Sequence, residues 1–505
     1  MKSKIQILSV LIRIYLLPSL LLSGICFGSA WAQEEETPSP EPSASNGTPN
    51  VRLGGFFNSR LSMQTYFDNS QENIVELRNG FFLKGDFDPR PNLHWTLSGR
   101  FSYKVFTTQE GSFSYYLRPE LFEAYASLSL GKLDLKLGQQ VARWGRADLS
   151  PTDNLNPADL RDFIFTEPEF MKVPILMARA KYFLGDFNVE GVYIPFYEPA
   201  RMPPSGDNWF MITPKMISNY MNKYPEQTFT DVKDTLLRVD NTTFPKFSPQ
   251  NGEAGLRVSG AHAGFDFSLD YLFTWQDFFL PHFNLDFIQY ARENMAHCQP
   301  GSQRCRNAEE ILTDLTPQEL IFYSPLYRLG TNRTHILGAD FSTNIHNFGV
   351  RAEAALLEKI SLLNEDFSIT RKPFLQFSAG ADRLFNGRHY FNFQVMESLV
   401  LNWGQKTINP VNNDPINIYV IKRSIPSLVF YFRTTLGEED QYQPEFRASY
   451  NPTFGDFLIN VLLNYSWSDA LKLTGGVVFL SGPPKSVFGN YAQNDSAYLG
   501  FRYSF

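Results

Sequence analysis

Long hydrophobic runs are missing from most of this 505-residue chain, and its mean hydropathy is −0.25. Beyond residue 50 nothing offers the roughly 20 consecutive apolar residues that a membrane-crossing helix needs. Cysteine is scarce: Cys26, Cys298 and Cys305 are all there is. That excludes a disulfide-dense scaffold, and His297 beside two cysteines does not make a zinc site. A basic excess is also lacking. Lys and Arg number 45 against 52 Asp and Glu, a net charge of −7 with no basic patch, so nucleic acid is not an expected partner. His94, His262, His282, His297, His335, His346 and His389 fall into no H-E-x-x-H or C-x-x-C-H string, and G-x-S-x-G is absent. These gaps argue against an enzyme and call for no cofactor.

Aromatics are plentiful instead, at 15 %, with 46 Phe and 24 Tyr. Aromatic and β-branched residues favour strands. Several segments alternate apolar and polar residues with period two. Leu93, Trp95, Leu97, Gly99 and Phe101 interleave with His94, Thr96, Ser98 and Arg100. Phe265, Phe267, Leu269, Tyr271 and Phe273 interleave with Asp266, Ser268 and Asp270. The pattern puts an apolar stripe on one face and polar groups, full charges included, on the other. In a soluble sandwich the apolar face is a core. In a membrane barrel it faces lipid, and the polar face lines a watery lumen.

The two ends carry further expectations. Lys2, Lys4 and Arg13 precede a short apolar run over 14–27, and Ala30-Trp31-Ala32 supplies a small-x-small cleavage site. Residues 1–32 therefore read as a signal peptide. Residues 33–50 are rich in Pro, Ser and Glu and cannot bury a core, so they read as a disordered periplasmic tail. Residues 51–505 read as one barrel domain. Leu499, Phe501, Tyr503 and Phe505 share one face of the last strand. This segment resembles the terminal targeting strand of outer-membrane barrel proteins and is expected to serve as an assembly signal.

About 18 strands are expected, with 16 as the alternative, in an antiparallel up-and-down transmembrane β-barrel. They begin near residues 52, 74, 92, 118, 132, 173, 186, 251, 263, 331, 347, 372, 387, 425, 442, 456, 470 and 494. Connections after even-numbered strands are short; those after odd-numbered strands are mostly long, with 451–455 the exception. Outer-membrane barrels have short periplasmic turns and longer outer loops, whereas a sandwich has no reason to alternate so. Within the long loops, Ala308 to Leu315 has helical spacing, and Cys298 and Cys305 read as a local disulfide. Trp209, Phe210, Met211, Met216, Tyr220 and Met221 offer either packing for loop 196–250 or an apolar ligand platform.

The third long loop, 144–172, is densest in specific features. Arg143, Trp144, Arg146, Asp148, Asp153, Asp159, Arg161 and Asp162 bring both signs together. They suit a salt-bridged brace or a pore-lining set. Asn156 before Pro157 predicts a helix start, with a capping side chain and then Pro at the first helical position.

The string Trp144-Gly-x-Ala-Asp148, Thr152-Asp153, Asn156-Pro157-x-Asp159-Leu-Arg161 resembles a domain-of-unknown-function family of porin-like Gram-negative outer-membrane barrels. Leu137-Gly138-Gln139-Gln140 is similar too, although the family more often has Arg after that Gly. The resemblance implies a porin or channel for small solutes or organic, often hydrophobic compounds. By analogy with general porins, the third outer loop folds inward and narrows the channel.

The function that follows is an outer-membrane channel. Its lumen-facing residues would be Arg78, Arg100, Glu123, Lys136, Glu190, Arg257, Asp270, Asp340, Glu353, Asp382 and Arg502. Both signs occur among them, so no ion preference follows. The alternative is a plugged barrel moving hydrophobic molecules, motivated by the aromatic and Met content of 196–250 and 276–290; an outer-membrane enzyme and a structural or adhesin barrel rank lower. Expected partners are outer-membrane lipid and lipopolysaccharide, the barrel-assembly machinery and a small-molecule cargo. A homo-oligomer stays open.

Overall fold

The computed structural model describes residues 50–65, 75–107, 113–148, 150–203, 207–209, 242–243, 245–278, 280–283, 327–363, 369–403, 407–408, 415–416, 422–483 and 486–505. The signal-peptide reading, all but the last residue of the tail, the Cys298 and Cys305 pairing and the helix at 308–315 lie outside these residues.

Eighteen strands form one sheet. They are β1 (Asn50–Gln64), β2 (Val75–Arg90), β3 (Leu93–Thr107), β4 (Phe113–Leu130), β5 (Leu133–Gln140) and β6 (Ile175–Leu184). Then come β7 (Phe187–Ile194), β8 (Glu253–His262), β9 (Phe265–Trp275), β10 (Arg333–Ile345), β11 (Phe348–Leu363) and β12 (Ile369–Phe385). The last six are β13 (His389–Val400), β14 (Ser424–Thr434), β15 (Tyr442–Asn451), β16 (Asp456–Ser466), β17 (Leu471–Ser481) and β18 (Ser496–Ser504). Each strand pairs antiparallel with the next, and β18 pairs with β1. The sheet is a closed barrel. At the seam Gly55 and Phe505 exchange both backbone hydrogen bonds, at 2.9 and 3.0 Å. Every expected strand start falls within five residues of an observed one.

Turn chemistry explains the short connections. Ala263 and Gly264 both take positive φ, as do His346 and Asn347. Two such residues in succession make the tight hairpin turn whose twist matches the flanking strands. The eight connections after even-numbered strands lie at one end of the barrel; the long loops lie at the other, together with the tight turn 452–455 after β15.

The outer wall is apolar. Leu53, Leu97, Leu269 and Leu499 are each more than 60 % exposed. In water such a belt would far exceed an ordinary surface patch; in a bilayer it is the required surface. Phe87, Trp95, Tyr182, Phe187, Phe265 and Tyr503 are exposed near the short-turn ends of their strands, where interfacial aromatics form a girdle.

The interior is not uniformly polar. Trp144, Ile175, Met177, Ile194, Leu272, Ile336, Leu357 and Val400 form one buried cluster inside the long-loop half. Phe56, Phe122 and Phe170 form another, with Phe82 against it. Inward-facing aromatics on β1, β2 and β4 thus receive a phenylalanine from the third long loop, and that positions the candidate site.

Candidate functional site

The third long loop, 141–174, lies inside the barrel and reaches both walls. Its first half docks on the strands β10 to β13. The Glu353 carboxylate of β11 accepts backbone N–H groups from Arg146 and from Ala147 and hydroxyls from Ser150 and Thr152. Arg146 donates through Nε to Asp340 of β10 at 2.8 Å. Asp148 accepts from Asn392, at 2.6 Å, and from Gln394, both on β13. Gly255 of β8 leaves room for the buried Trp144 ring, which an added Cβ would meet at 2.7 Å.

The second half docks on the opposite wall, β1 to β4 and β18. Asp162 pairs with Arg78 of β2 and with Arg100 of β3 at 3.2 Å. Arg161 bridges Asp159 and Glu120 of β4. Glu169 meets Arg502 of β18 at 2.9 Å. The Phe170 ring sits 5.1 to 6.0 Å from the rings of Phe56, Phe82 and Phe122.

Asn156 sews the two halves together. It is fully buried; its carboxamide accepts from Ala142 N–H at 2.8 Å and donates to the carbonyls of Gln140 and Val173. No helix starts here. The expected cap is a strut instead, because three backbone groups of neighbouring chain reach the side chain before a helical turn can form. Lys172 closes the loop base on the Asp153 carbonyl at 2.7 Å and on its carboxylate at 3.3 Å. Residues 200–201 clasp the loop through Leu160 and Arg201 backbone bonds of 2.8 and 2.9 Å.

Burial shapes the charges on the loop. Asp148 is pushed up to about 6 by burial, against its amide donors and Arg351. Burial also opposes the charge on Asp162, but Arg78, Arg100 and Lys104 outweigh it and hold that carboxyl below the usual range.

Beneath the loop, toward the short turns, lies a chamber of about 2950 Å³. Its roof includes Arg143, Asp162, Ile164 and the run from Phe165 to Phe170. On the long-loop side, Phe163 and Phe165 join Trp209, Phe278, Phe488, Tyr491 and Tyr498 in a buried apolar cluster. The Trp209 ring centroid stands 5.5 Å from Phe163 and 5.8 Å from Tyr491. Four separate loop segments therefore meet inside the barrel.

A family model described as "Protein of unknown function (DUF1302)" matches residues 29–409, about three quarters of the chain. The chain belongs to the DUF1302 family. The match runs through β13 and contains the whole inward loop. No curated protein matches the sequence. Solved structures that the chain is similar to include Salmonella typhi OmpF in complex with daunomycin, at 10 % identity and TM-score 0.37, covering 91 % of this chain and 99 % of that one. They also include Pseudomonas aeruginosa OccK5 (OpdH), at 9 % identity and TM-score 0.42, and Acinetobacter baumannii OccAB2, at 9 % and 0.46. Each of these two covers 90 % of this chain and 98 % of its own. The barrel of this DUF1302 member is defined by its own strand pairing.

Among the residues expected in the lumen, Arg78, Arg100, Lys136, Glu190, Asp382 and Arg502 border the chamber. Glu123 accepts the Val141 N–H at the loop's root. Arg257, Asp340 and Glu353 lie higher, in the network around Arg146. Asp270 is buried beside Gly338. Among the loop residues, Arg143 and Asp162 border the chamber. Trp144 sits in the apolar cluster, and Arg146, Asp148, Asp153, Asp159 and Arg161 make the docking contacts given above. Leu499, Phe501, Tyr503 and Phe505 are exposed on the outer wall. Trp209 faces inward; the other residues of the expected platform lie outside the described residues.

Sequence reasoning missed Glu76, Lys104, Glu120, Glu169, Arg201 and Asp207. Lys104 is buried between Glu76 at 2.8 Å and Asp207 at 2.7 Å. Lys104 lies four residues beyond Arg100 on the same strand and shares its face, but nothing in the sequence marks Asp207, 103 residues away, as its partner.

Proposed function

We propose that this chain is an outer-membrane channel of a Gram-negative bacterium for small solutes or organic compounds, narrowed by loop 144–172. The observation that carries the reading is the wide, charged chamber roofed by a loop tied to both walls. A solute entering such a chamber would meet its narrowest passage beside the loop. The apolar belt and aromatic girdle support residence in a bilayer, with lipid and lipopolysaccharide as its surroundings and the barrel-assembly machinery as the route to it. A small-molecule cargo is the partner of the chamber.

The cluster of Phe163, Trp209 and Tyr491 favours a second reading, a plugged barrel that moves hydrophobic molecules. Planar-bilayer recording with the purified full chain separates the two. Discrete conductance steps, with rapid sugar entry in liposome swelling, are expected for the channel. A silent bilayer with no sugar entry would replace it with the plugged barrel.

A further inference from the structure

Three cations stand side by side in the wall. In the strand register Arg60 of β1 lies directly opposite Arg78 of β2, and Arg78 lies opposite Lys104 of β3. Like charges directly opposite destabilise a sheet, and buried charges need partners. The wall's own acid is Glu76, which touches Arg78 and Lys104. The loops bring the rest. Asp162 reaches Arg78 and Arg100, and Asp207 reaches Lys104 through both carboxylate oxygens at 2.7 and 2.9 Å. One strand to the other side, Glu169 does the same for Arg502. Arg78, Arg100, Lys104 and Arg502 are therefore a row of anion sites, each met by a carboxylate carried on a loop, while Arg60 donates to the Phe165 carbonyl at 3.3 Å.

Arg60, Arg78, Arg100, Lys104 and Arg502 all border the chamber. Sixteen Lys and Arg side chains line it against twelve Asp and Glu, an excess of four cations. The whole chain has the opposite balance, at −7. The excess is concentrated where a solute would travel, and a charged lining of one sign raises the local concentration of its counter-ion.

We infer that this basic row is a transit path for small organic carboxylates, with Asp162, Asp207 and Glu169 as built-in counter-ions that a passing carboxylate replaces. The guanidinium fork suits a carboxylate in bidentate contact, whichever molecule carries it. Exchange of one carboxylate for another leaves the buried cations neutralised throughout, so no bare charge is exposed along the way. The inference rests on the channel reading and names its substrate class.

Reversal potentials across a tenfold KCl gradient test it in the purified full chain. The wild type is expected to favour chloride over potassium. Asp162→Asn removes a counter-ion and should raise that ratio about fivefold, the size of one contact-range Coulomb interaction in water. Arg502→Gln, at a more exposed position, should lower it. A purely bracing role for Asp162 predicts larger conductance with an unchanged ratio, and that result overturns the inference. Calorimetric titration with succinate decides independently of conductance. Binding that Asp162→Asn tightens supports the row even if the bilayer stays silent and the channel reading fails. Absence of succinate binding in wild type and both variants overturns it.

Discussion

At the scale of single residues, one carboxylate organises the loop. Glu353 gathers two backbone N–H groups and two hydroxyls of the segment 146–152. Removing it strands buried donors, each costing about 1–3 kcal/mol. Glu353→Ala should therefore free the first half of the loop while the barrel still forms. Trypsin cleavage after Arg143 or Arg146 is expected to accelerate, and single-channel conductance to rise. Unchanged cleavage would show that other contacts suffice. Asp148 carries the pH response. Its docked carboxyl titrates at about 6, above its ordinary value, with burial as the main cause. The docked loop thus keeps a proton that an undocked loop has already released. Docking is strongest below about pH 4, weakens as pH rises to about 6 and is level beyond, by about a hundredfold at most. Conductance should be larger at pH 7 than at pH 4.5. Asp148→Asn should flatten that profile at the low-conductance level, because an amide stays neutral throughout.

At the scale of elements, strands were legible and loop partnerships were not. Period-two alternation depends only on neighbours in sequence, so Leu93 to Phe101 declares its two faces without tertiary knowledge. Turns were legible for the same reason, as at Asn386-Gly387, where both residues take positive φ. Asn156 misled because its capping chemistry is local, whereas its actual partners, Gln140 and Val173, come from both sides of the loop. Phe56, Phe82 and Phe122 were invisible as interior residues, since an aromatic facing lipid and one receiving Phe170 look alike in sequence. The cluster around Trp209 adds a prediction at this scale. It joins four loop segments on the long-loop side of the chamber, and truncating a buried Trp costs about 3–5 kcal/mol. Trp209→Ala should loosen the junction and raise conductance, measured in the same bilayers. A cluster that seals nothing would leave conductance at the wild-type value.

At the scale of the whole molecule, two solvents share one sheet. The outer face is matched to hydrocarbon and the inner face to charge, and each strand carries both because its side chains alternate. The loop at 141–174 adds a mechanical consequence. A hollow cylinder resists stretching along its hydrogen bonds but yields readily when squeezed from the side. A rib tied to Asp340 and Glu353 on one flank and to Arg78, Arg100 and Arg502 on the other acts as a spoke. In a bilayer, lateral pressure would then have to break ion pairs before it could flatten the cross-section. The same rib that roofs the chamber would keep the barrel round.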